Sequence, residues 1–311
     1  MTRPEDERHT QAEGGRPLPQ EGDAHQRPEA PRQSETRRKK EVHSEAEGRA
    51  EGNVSERNPS LRLFDLHCHL DFAENARELA TGLAQRGIGA LSVTVTPAGY
   101  VRAAALFAPC PNVRVALGLH PWWVADGRCT EDDVAQFEQL AKDARFVGEV
   151  GLDFAPAHAA SRDVQLAAFE RVAHACAEGG GKVLSLHAVR SADAVMDVLE
   201  RTGGTESYVC VLHWFSGTSD ELHRAVKQGC LFSVNPRMLA TKRGRAYVRA
   251  IPADRLLLET DLPPESAARY DAADVETPLR ATLAELAALR AEDPEALGAR
   301  IALTSERVLQ A

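Results

Sequence analysis

Two histidines separated by one residue, His67 and His69, come directly after the first apolar segment of the chain. In an extended strand the side chains alternate between the two faces, so residues i and i+2 point the same way. His67 and His69 can therefore grip one ion while Cys68 turns aside. Because imidazole is a common metal ligand, the pair predicts a metal site. Taken alone, the pair also fits two hydrogen-bonded residues at the rim of a sheet.

Eight short apolar segments bounded by Gly, Pro or polar clusters are predicted as strands. They span residues 63–67, 88–95, 113–119, 145–150, 182–187, 208–213, 229–234 and 255–260. Helix-patterned stretches lie at 131–143, 162–178, 191–201, 218–228 and 276–311, the last with Pro294 as a helix start. This alternation predicts an α/β fold, a (β/α)8 TIM barrel, over residues 61–311.

Barrels of this kind carry their reacting groups at the C-terminal ends of the strands. Six of the eight predicted strands have imidazole or carboxylate groups there, namely His67 and His69, His120, Glu149, His187, His213 and Asp261. Such groups are costly to desolvate without partners, so their concentration indicates a shared function. The alternative is that they are unrelated rim residues.

Five separated motifs resemble those of the TatD family of metal-dependent deoxyribonucleases. They are Asp65-Leu66-His67-Cys68-His69-Leu70-Asp71, Gly118-Leu119-His120-Pro121, Gly148-Glu149-Val150-Gly151-Leu152-Asp153, His213-Trp214-Phe215-Ser216-Gly217 and Leu257-Leu258-Glu259-Thr260-Asp261. The resemblance covers about residues 61–311 and implies a barrel of the metal-dependent hydrolase type with two neighbouring divalent cations. One cation would be held by His67, His69, Glu149 and Asp261, and the other by the shared Glu149 with His187 and His213.

Such a pair of ions, about 3.5–4 Å apart, can polarise a phosphoryl oxygen, activate a bound water and stabilise the leaving alkoxide. We predict Glu149 and Asp261 as catalytic residues. Glu149 would bridge the ions, and Asp261 would be both a ligand and the acceptor of the water proton. Mixed imidazole and carboxylate ligation suits several metals. The resemblance points to magnesium or manganese, with zinc as an alternative.

Four residues are predicted to contact the substrate: His120, Arg190, Trp214 and Lys242. Arg190 stands where the family more often has a Ser-Arg-(Asp or Asn) run, and it could hold a phosphate or solvate a helix start. Trp214 stands where the family often has Cys, and it could stack on a base or plug the barrel mouth. Lys242 begins a basic cluster in a region where barrels often bind phosphate, with a solvated helix face as the alternative.

Two further segments, 212–217 and 229–238, are similar to one branch of the family, the TatD-like nucleases encoded in Qat-type anti-phage systems. This similarity implies a role in antiviral defence and protein partners from such a system. Neighbouring genes would then encode an ATPase and a nucleoside-modifying-type enzyme.

The net charge of the chain is -9. Residues 1–60 hold 11 basic and 13 acidic residues, so most of the negative charge lies in 61–311. Proteins that coat duplex DNA present a basic surface instead. Because bound ions are often the largest charges in a site, they can hold phosphates locally. We therefore expect a short strand end or a small nucleic-acid fragment as the substrate. The family resemblance implies that this substrate is DNA, single-stranded or at strand ends, and that strands are shortened from an end.

Residues 1–60 contain no Cys and no aromatic residue. They cannot bury enough apolar area to offset the entropy of ordering, so this extension is predicted to be disordered; a mis-assigned start codon is an alternative origin for it. We find no secretory signal and no apolar span of membrane length, and we expect a cytoplasmic protein. The six cysteines show no metal-site spacing and are expected to be reduced.

Two other functions stay open at the level of sequence. The first is a metal-dependent amidohydrolase-type barrel acting on a small amide, lactone or phosphoester. Many such barrels bridge their metals with a modified lysine at strand four, where this chain has Glu149. The second is a catalytically silent scaffold of a defence complex, against which the intact set of ligands argues.

Overall fold

The strands form where short runs of Val, Leu, Ile and Phe occur in the sequence. The computed structural model describes residues 62–203, 208–265 and 269–310. The strands are β1 (Leu63–Cys68), β2 (Ile88–Val93), β3 (Val113–Ala116), β4 (Phe146–Asp153), β5 (Lys182–Val189), β6 (Tyr208–His213), β7 (Leu231–Val234) and β8 (Leu256–Leu258). Every predicted strand is confirmed. Their residues are mostly buried because helices cover the outer face of a parallel barrel.

Helices follow the strands in sequence. They are α1 (Ala76–Gln85), α2 (Pro97–Phe107), α3 (Pro121–Ala125), α4 (Glu131–Ala141), α5 (Arg162–Gly179), α6 (Ala192–Thr202), α7 (Ser219–Lys227), α8 (Pro236–Leu239), α9 (Lys242–Ala250), α10 (Ala272–Arg290) and α11 (Pro294–Gln310). The predicted interior helices correspond to α4 to α7, and the predicted C-terminal stretch is the pair α10 and α11. Pro294 begins α11 as predicted, since proline fits the first turn of a helix.

The strands pair in parallel and in chain order, β1 to β3 and β4 to β8. A bridge between Leu117 and Val147 joins the two groups. The barrel closes between β8 and β1, where the Asp261 N–H donates to the His67 carbonyl at 3.0 Å. At this seam the buried Asp65 carboxylate accepts hydrogen bonds from the N–H and the hydroxyl of Thr260. These contacts complete the (β/α)8 barrel and confirm the predicted fold class.

The second and third strands end earlier than predicted, at Val93 and Ala116. The reason is that Thr94 pairs with β4 instead of β3. Its N–H donates to Gly148 O at 3.0 Å, and its carbonyl accepts from Glu149 N at 2.9 Å. Gly118 permits this approach, since a Cβ there would lie 1.6 Å from Thr94 O. The local irregularity therefore fixes the backbone of Glu149.

Side chains from all eight strands form an apolar cluster that is separate from the one beneath the helices. In β1, Phe64 and Leu66 belong to this inner cluster, whereas Cys68 belongs to the outer one. The pairing register of β1 with β2 shifts between Asp65 and Cys68, where this alternation changes. The inner cluster fills the barrel, as expected for this fold, and leaves the polar strand ends at its mouth.

The predicted disorder of residues 1–60 lies outside the described residues. The six cysteines are free and buried, as expected for reduced thiols packed as small apolar groups. Within the described ranges, no helix combines the length and apolar character that crossing a bilayer requires.

Candidate metal centre

The ionisable side chains at the strand ends converge on one carboxylate, that of Glu149 on β4. Five imidazoles have a ring nitrogen within 3.5 Å of it, those of His67, His69, His120, His187 and His213. These side chains and Glu149 are all buried. Two neighbouring segments hold the Glu149 backbone. Its N–H donates to Thr94 O at 2.9 Å, and its carbonyl accepts from Leu119 N at 3.1 Å. The residues predicted at the strand ends, which are far apart in sequence, thus surround one carboxylate in the structure.

One carboxylate oxygen of Glu149 faces the first ligand set. Oε2 lies 3.4 Å from His67 Nε2 and 3.5 Å from His69 Nε2. Asp261 completes this set, with Oδ1 at 3.5 Å from His69 Nε2 and 3.7 Å from His67 Nε2. Asp261 adopts a left-handed backbone, φ +59°, three residues after the end of β8. These are the residues that the sequence grouped around the first cation.

The other oxygen, Oε1, faces the second set. It lies 2.6 Å from His187 Nδ1 and 3.0 Å from His213 Nε2. His120, which the sequence assigned to substrate contact, also lies here, with Nε2 at 3.1 Å from the same oxygen. The two sets therefore meet at Glu149, each on its own oxygen.

Groups behind the imidazoles fix the ring orientations. Ser185 Oγ lies 2.7 Å from His67 Nδ1, and Asp153 Oδ2 lies 3.0 Å from His187 Nε2. Glu259 Oε1 lies 3.6 Å from His213 Nδ1, a longer ionic contact without a hydrogen bond. Such outer partners set which ring nitrogen is free to bind a metal. Sequence reasoning did not assign Asp153 or Glu259, although both lie inside the motifs that carried the family resemblance.

Burial and mutual charge set the protonation of the cluster. Burial raises the pKa of Glu149, but the neighbouring imidazoles, chiefly His120 and His213, hold it well below its usual range. Burial lowers the pKa of His69, but hydrogen bonds with Asp261 and Glu149 outweigh it and raise that pKa to about 10. Burial lowers the pKa of His120 to about 4. An ion that binds the His69 ring must therefore displace a proton.

The donor set fits divalent cations. Among the described residues, the buried His67 Nε2 has no hydrogen-bond partner, although Glu149 Oε2 lies 3.4 Å away. That separation is long for a hydrogen bond. It matches two ligands of one ion, since ligand atoms about 2.1 Å from a tetrahedral ion lie about 3.4 Å apart. Three groups have ligand atoms within 4.8 Å of one another: His67, His213 and Asp261; His67, His69 and Glu149; and His120, Glu149 and His187.

A cavity of about 760 Å³ opens onto the two ligand sets. Its volume is in the range of small-molecule sites, about 300–1,000 Å³. Aromatic side chains line it, those of Phe72, Trp122, Trp123 and Trp214. The cavity therefore joins metal ligands to flat apolar surfaces, a combination that suits a ligand with both anionic and aromatic parts.

The predicted substrate residues differ in their position relative to this cavity. His120 and Trp214 are among the residues that line it, and Arg190 and Lys242 are not. Both of these cations are exposed. Arg237, which the sequence analysis quoted in a motif without assigning it a role, lines the cavity instead.

Asp153 connects the second ligand set to the cavity wall. Its Oδ2 accepts from Trp122 Nε1 at 2.7 Å and contacts His187 Nε2 at 3.0 Å. Burial raises the pKa of Asp153, but the hydrogen bonds from His187 and Trp122 lower it to about 2. This carboxylate therefore stays ionised and holds the His187 ring with Nδ1 towards Glu149.

We expect Asp153→Asn to weaken binding of the second ion by about 10- to 100-fold, the usual effect of removing an outer partner of a metal-bound imidazole. The cause is loss of the charge that fixes the His187 ring. Calorimetric titration with Mn²⁺ measures the affinity of each site. The exposed Asp163→Asn on α5 is the matched control. Unchanged affinity at both sites in Asp153→Asn would contradict this role.

The family model described as TatD-related DNase matches residues 64–310 of the chain. The deoxyribonuclease Tat-D of Schizosaccharomyces pombe is 31% identical over 157 residues, 47% of this chain and 50% of that protein. The 3'-5' ssDNA/RNA exonuclease TatD of Dickeya dadantii is 29% identical over 270 residues, 80% of this chain and 98% of that protein. The TatD exonuclease of Edwardsiella piscicida is 38% identical over 151 residues, 47% of this chain and 56% of that protein. The chain thus spans about half the length of the first and third of these relatives.

Solved structures show the same fold. The TatD homologue YJJV of Escherichia coli K12 superposes with a TM-score of 0.63 at 23% identity, covering 81% of this chain and 99% of that one. A TatD family hydrolase of Entamoeba histolytica superposes with a TM-score of 0.66 at 13% identity, covering 80% of this chain and 98% of that one. At these identities the likeness concerns the barrel itself.

Proposed function

The chain belongs to the TatD family of DNases, and from this premise we propose that it is a hydrolase that uses two divalent cations to cleave phosphodiester bonds of DNA. The supporting observation is that the two carboxylate oxygens of Glu149 face two different sets of ligands. A carboxylate placed in this way can bridge two ions. Hydrolysis of phosphate esters is a reaction for which proteins use such pairs.

The first cation would be held by His67, His69, Glu149 and Asp261, and the second by Glu149, His187 and His213. When bound, the two ions lower the pKa of a water, polarise a phosphoryl oxygen and stabilise the leaving oxygen. We propose magnesium or manganese as the ions in use, because carboxylates and water suit them, whereas the imidazoles also admit zinc. His120 lies beside the second set and is proposed to contact the substrate.

Asp261 is proposed to take the proton of the attacking water. Burial raises the pKa of Asp261, but the hydrogen bond with His69 and the charges of nearby imidazoles lower it to about 2. The group is therefore a carboxylate at neutral pH, which is the form that can accept a proton. Its Oδ2 lies 3.1 Å from Arg237 Nη1, which fixes the orientation of the carboxylate at the cavity mouth.

We propose single-stranded DNA, entered from a strand end, as the substrate. Two of the relatives are named 3'-5' ssDNA/RNA exonucleases. The aromatic walls of the cavity support this choice, since bases of a single strand can stack on them while bases of a duplex are already stacked. Trp214 is proposed to stack on a base. Arg190 and Lys242 are proposed to meet phosphates of the strand beyond the cavity.

The experiment is incubation of the purified protein with end-labelled single-stranded DNA, duplex DNA and single-stranded RNA, with Mg²⁺ or Mn²⁺ added. We expect shortening of the single strand by successive nucleotides and loss of all cleavage in EDTA. A parallel panel of lactone and amide substrates should give no turnover. Metal-dependent turnover of that panel without cleavage of DNA would overturn the nuclease proposal in favour of an amidohydrolase-type reaction. Binding of metal without turnover of any substrate would indicate a silent scaffold.

We further propose a cytoplasmic role in anti-phage defence, together with partner proteins of a Qat-type system. The amino-acid sequences of segments 212–217 and 229–238 support this assignment to one branch of the family. Genes beside this one should then encode an ATPase and a nucleoside-modifying-type enzyme. A neighbourhood of housekeeping genes would contradict the defence role and leave the nuclease proposal intact.

A further inference from the structure

Arg237, on α8, gives the cavity its permanent positive charge. Among the residues that line this cavity, the carboxylates are those of Glu149, Asp153, Asp261 and Glu265, and Arg237 is the one Lys or Arg. The ligating imidazoles of the cavity lose their protons when they bind metal ions, whereas the guanidinium stays positive beside the four carboxylates that an entering anion meets. The position of the Arg237 guanidinium therefore determines where a side chain of the protein, as opposed to a metal ion, can bind that anion.

The guanidinium lies next to the metal ligands without belonging to them. Its Nη1 is 3.1 Å from Asp261 Oδ2, while the other oxygen of that carboxylate, Oδ1, is 3.5 Å from His69 Nε2. The Arg237 side chain is 52% exposed. A guanidinium carries five N–H donors in a planar fork. The N–H donors that do not contact Asp261 thus remain available for a second anion. That anion would lie next to the Asp261 carboxylate and therefore close to the first ligand set.

The same guanidinium lies near an aromatic ring. Arg237 Cζ is 5.2 Å from the centroid of the Trp214 ring, within the distance of a cation–π contact. Trp214 has a left-handed backbone, φ +39°, directly after β6, and lines the same cavity. The donor fork therefore lies over one face of the indole ring, and a base that pairs with a phosphate held by Arg237 would stack on the ring face that Arg237 leaves free.

From this arrangement we infer that Arg237 and Trp214 form one nucleotide subsite, in which Arg237 binds a backbone phosphate next to the cleaved bond and Trp214 stacks on the adjoining base. The inference rests on the proposed nuclease function and narrows its substrate to an unpaired strand. Arginine suits the position because its fork can take two phosphate oxygens at once. The subsite also supplies local attraction for phosphate in a chain whose net charge is -9.

The test measures binding separately from cleavage. Fluorescence anisotropy of a labelled oligothymidylate in EDTA gives the Kd of wild-type protein and of Arg237→Gln, Arg237→Lys and Arg201→Gln. We expect Arg237→Gln to raise Kd about tenfold and to make the slope of log K against log salt shallower by about 0.7, the share of one phosphate on a single strand. Arg237→Lys should keep the slope and part of the affinity.

Arg201→Gln is the matched control, because Arg201 is an exposed arginine in the last turn of α6 that pairs with Glu170 at 2.8 Å and does not line the cavity. It should leave Kd unchanged. The base contact is tested by Trp214→Leu, which should weaken binding of the oligothymidylate and leave binding of an abasic strand of equal length unaffected. Equal losses for both strands would overturn the stacking role.

An unchanged Kd and salt slope in Arg237→Gln would overturn the phosphate role. Loss of Mn²⁺ affinity in that variant with a constant DNA affinity would overturn it as well, because Arg237 would then act only by positioning Asp261. Failure of the nuclease proposal has a different signature. A wild-type protein whose oligonucleotide binding depends on Arg237, but which cleaves nothing in Mg²⁺ or Mn²⁺, supports the subsite and contradicts the reaction.

Discussion

Replacing Glu149 by glutamine is expected to lower kcat/KM on single-stranded DNA by about 10³-fold or more, equivalent to about 4 kcal/mol of transition-state stabilisation. The reason is that each oxygen of this carboxylate faces its own ligand set. An amide has one oxygen and no charge, so it cannot bridge two cations. Both the affinity for Mn²⁺ and the turnover should fall together, which calorimetry and a cleavage assay measure on the same preparation.

The matched control is Glu178→Gln, which makes the same chemical change at an exposed position of α5. It should leave both quantities unchanged. Circular dichroism checks that Glu149→Gln keeps its secondary structure. A folded Glu149→Gln protein that retains two ions and most of its activity would refute the bridging role.

Asp261→Asn is expected to lower kcat by about 10²- to 10⁴-fold, the usual contribution of a group that accepts a proton in the transition state. Asparagine keeps one oxygen for the ion but cannot take the proton of the water, and its amide nitrogen would stand where Oδ2 meets Arg237. KM should therefore change by less than kcat. Steady-state kinetics with saturating Mn²⁺ measures both parameters.

Asp254→Asn is the control here, because Asp254 is an exposed carboxylate seven residues earlier in the chain. It should behave as wild type. If Asp261→Asn changed only KM, or only the number of bound ions, then the group would be a ligand and some other residue would receive the proton.

The candidate site could be predicted from sequence to the extent that it depends on strand ends. Parallel strands place their C-terminal residues at one mouth, so His67, His187 and His213 had to approach one another once the barrel was recognised. The two-residue spacing of His67 and His69 likewise places their side chains on the same side of the extended chain. Each lies within 3.5 Å of the same oxygen of Glu149.

Contacts between loops were not predictable in this way. Arg190 follows a metal ligand in the chain but is exposed and does not line the cavity, whereas Arg237, after β7, does. The position of a residue next to a metal ligand in sequence does not determine the direction of its side chain. The left-handed backbone of Arg190, φ +55°, cannot be predicted from the residue type. Asp153 was overlooked for a related reason, because its partner Trp122 belongs to α3, the short helix after β3.

The early end of β2 has the same origin. The apolar pattern continues through Val95, and it gives no sign that Thr94 exchanges its partner from β3 to β4. That exchange depends on a glycine in another segment, Gly118, two residues after the end of β3. Strand propensity is a property of one segment. It therefore cannot predict a change of pairing partner that depends on two segments.

The seam between the first and last strands has a consequence for biosynthesis. Asp65 and Thr260, which meet there, are 195 residues apart, and the same closure brings Asp261 to His69. On the ribosome, β1 emerges long before β8 is translated. The first ligand set is therefore incomplete on every nascent chain, and under the proposed mechanism a growing or truncated polypeptide is harmless to nucleic acid until the final strand has been delivered.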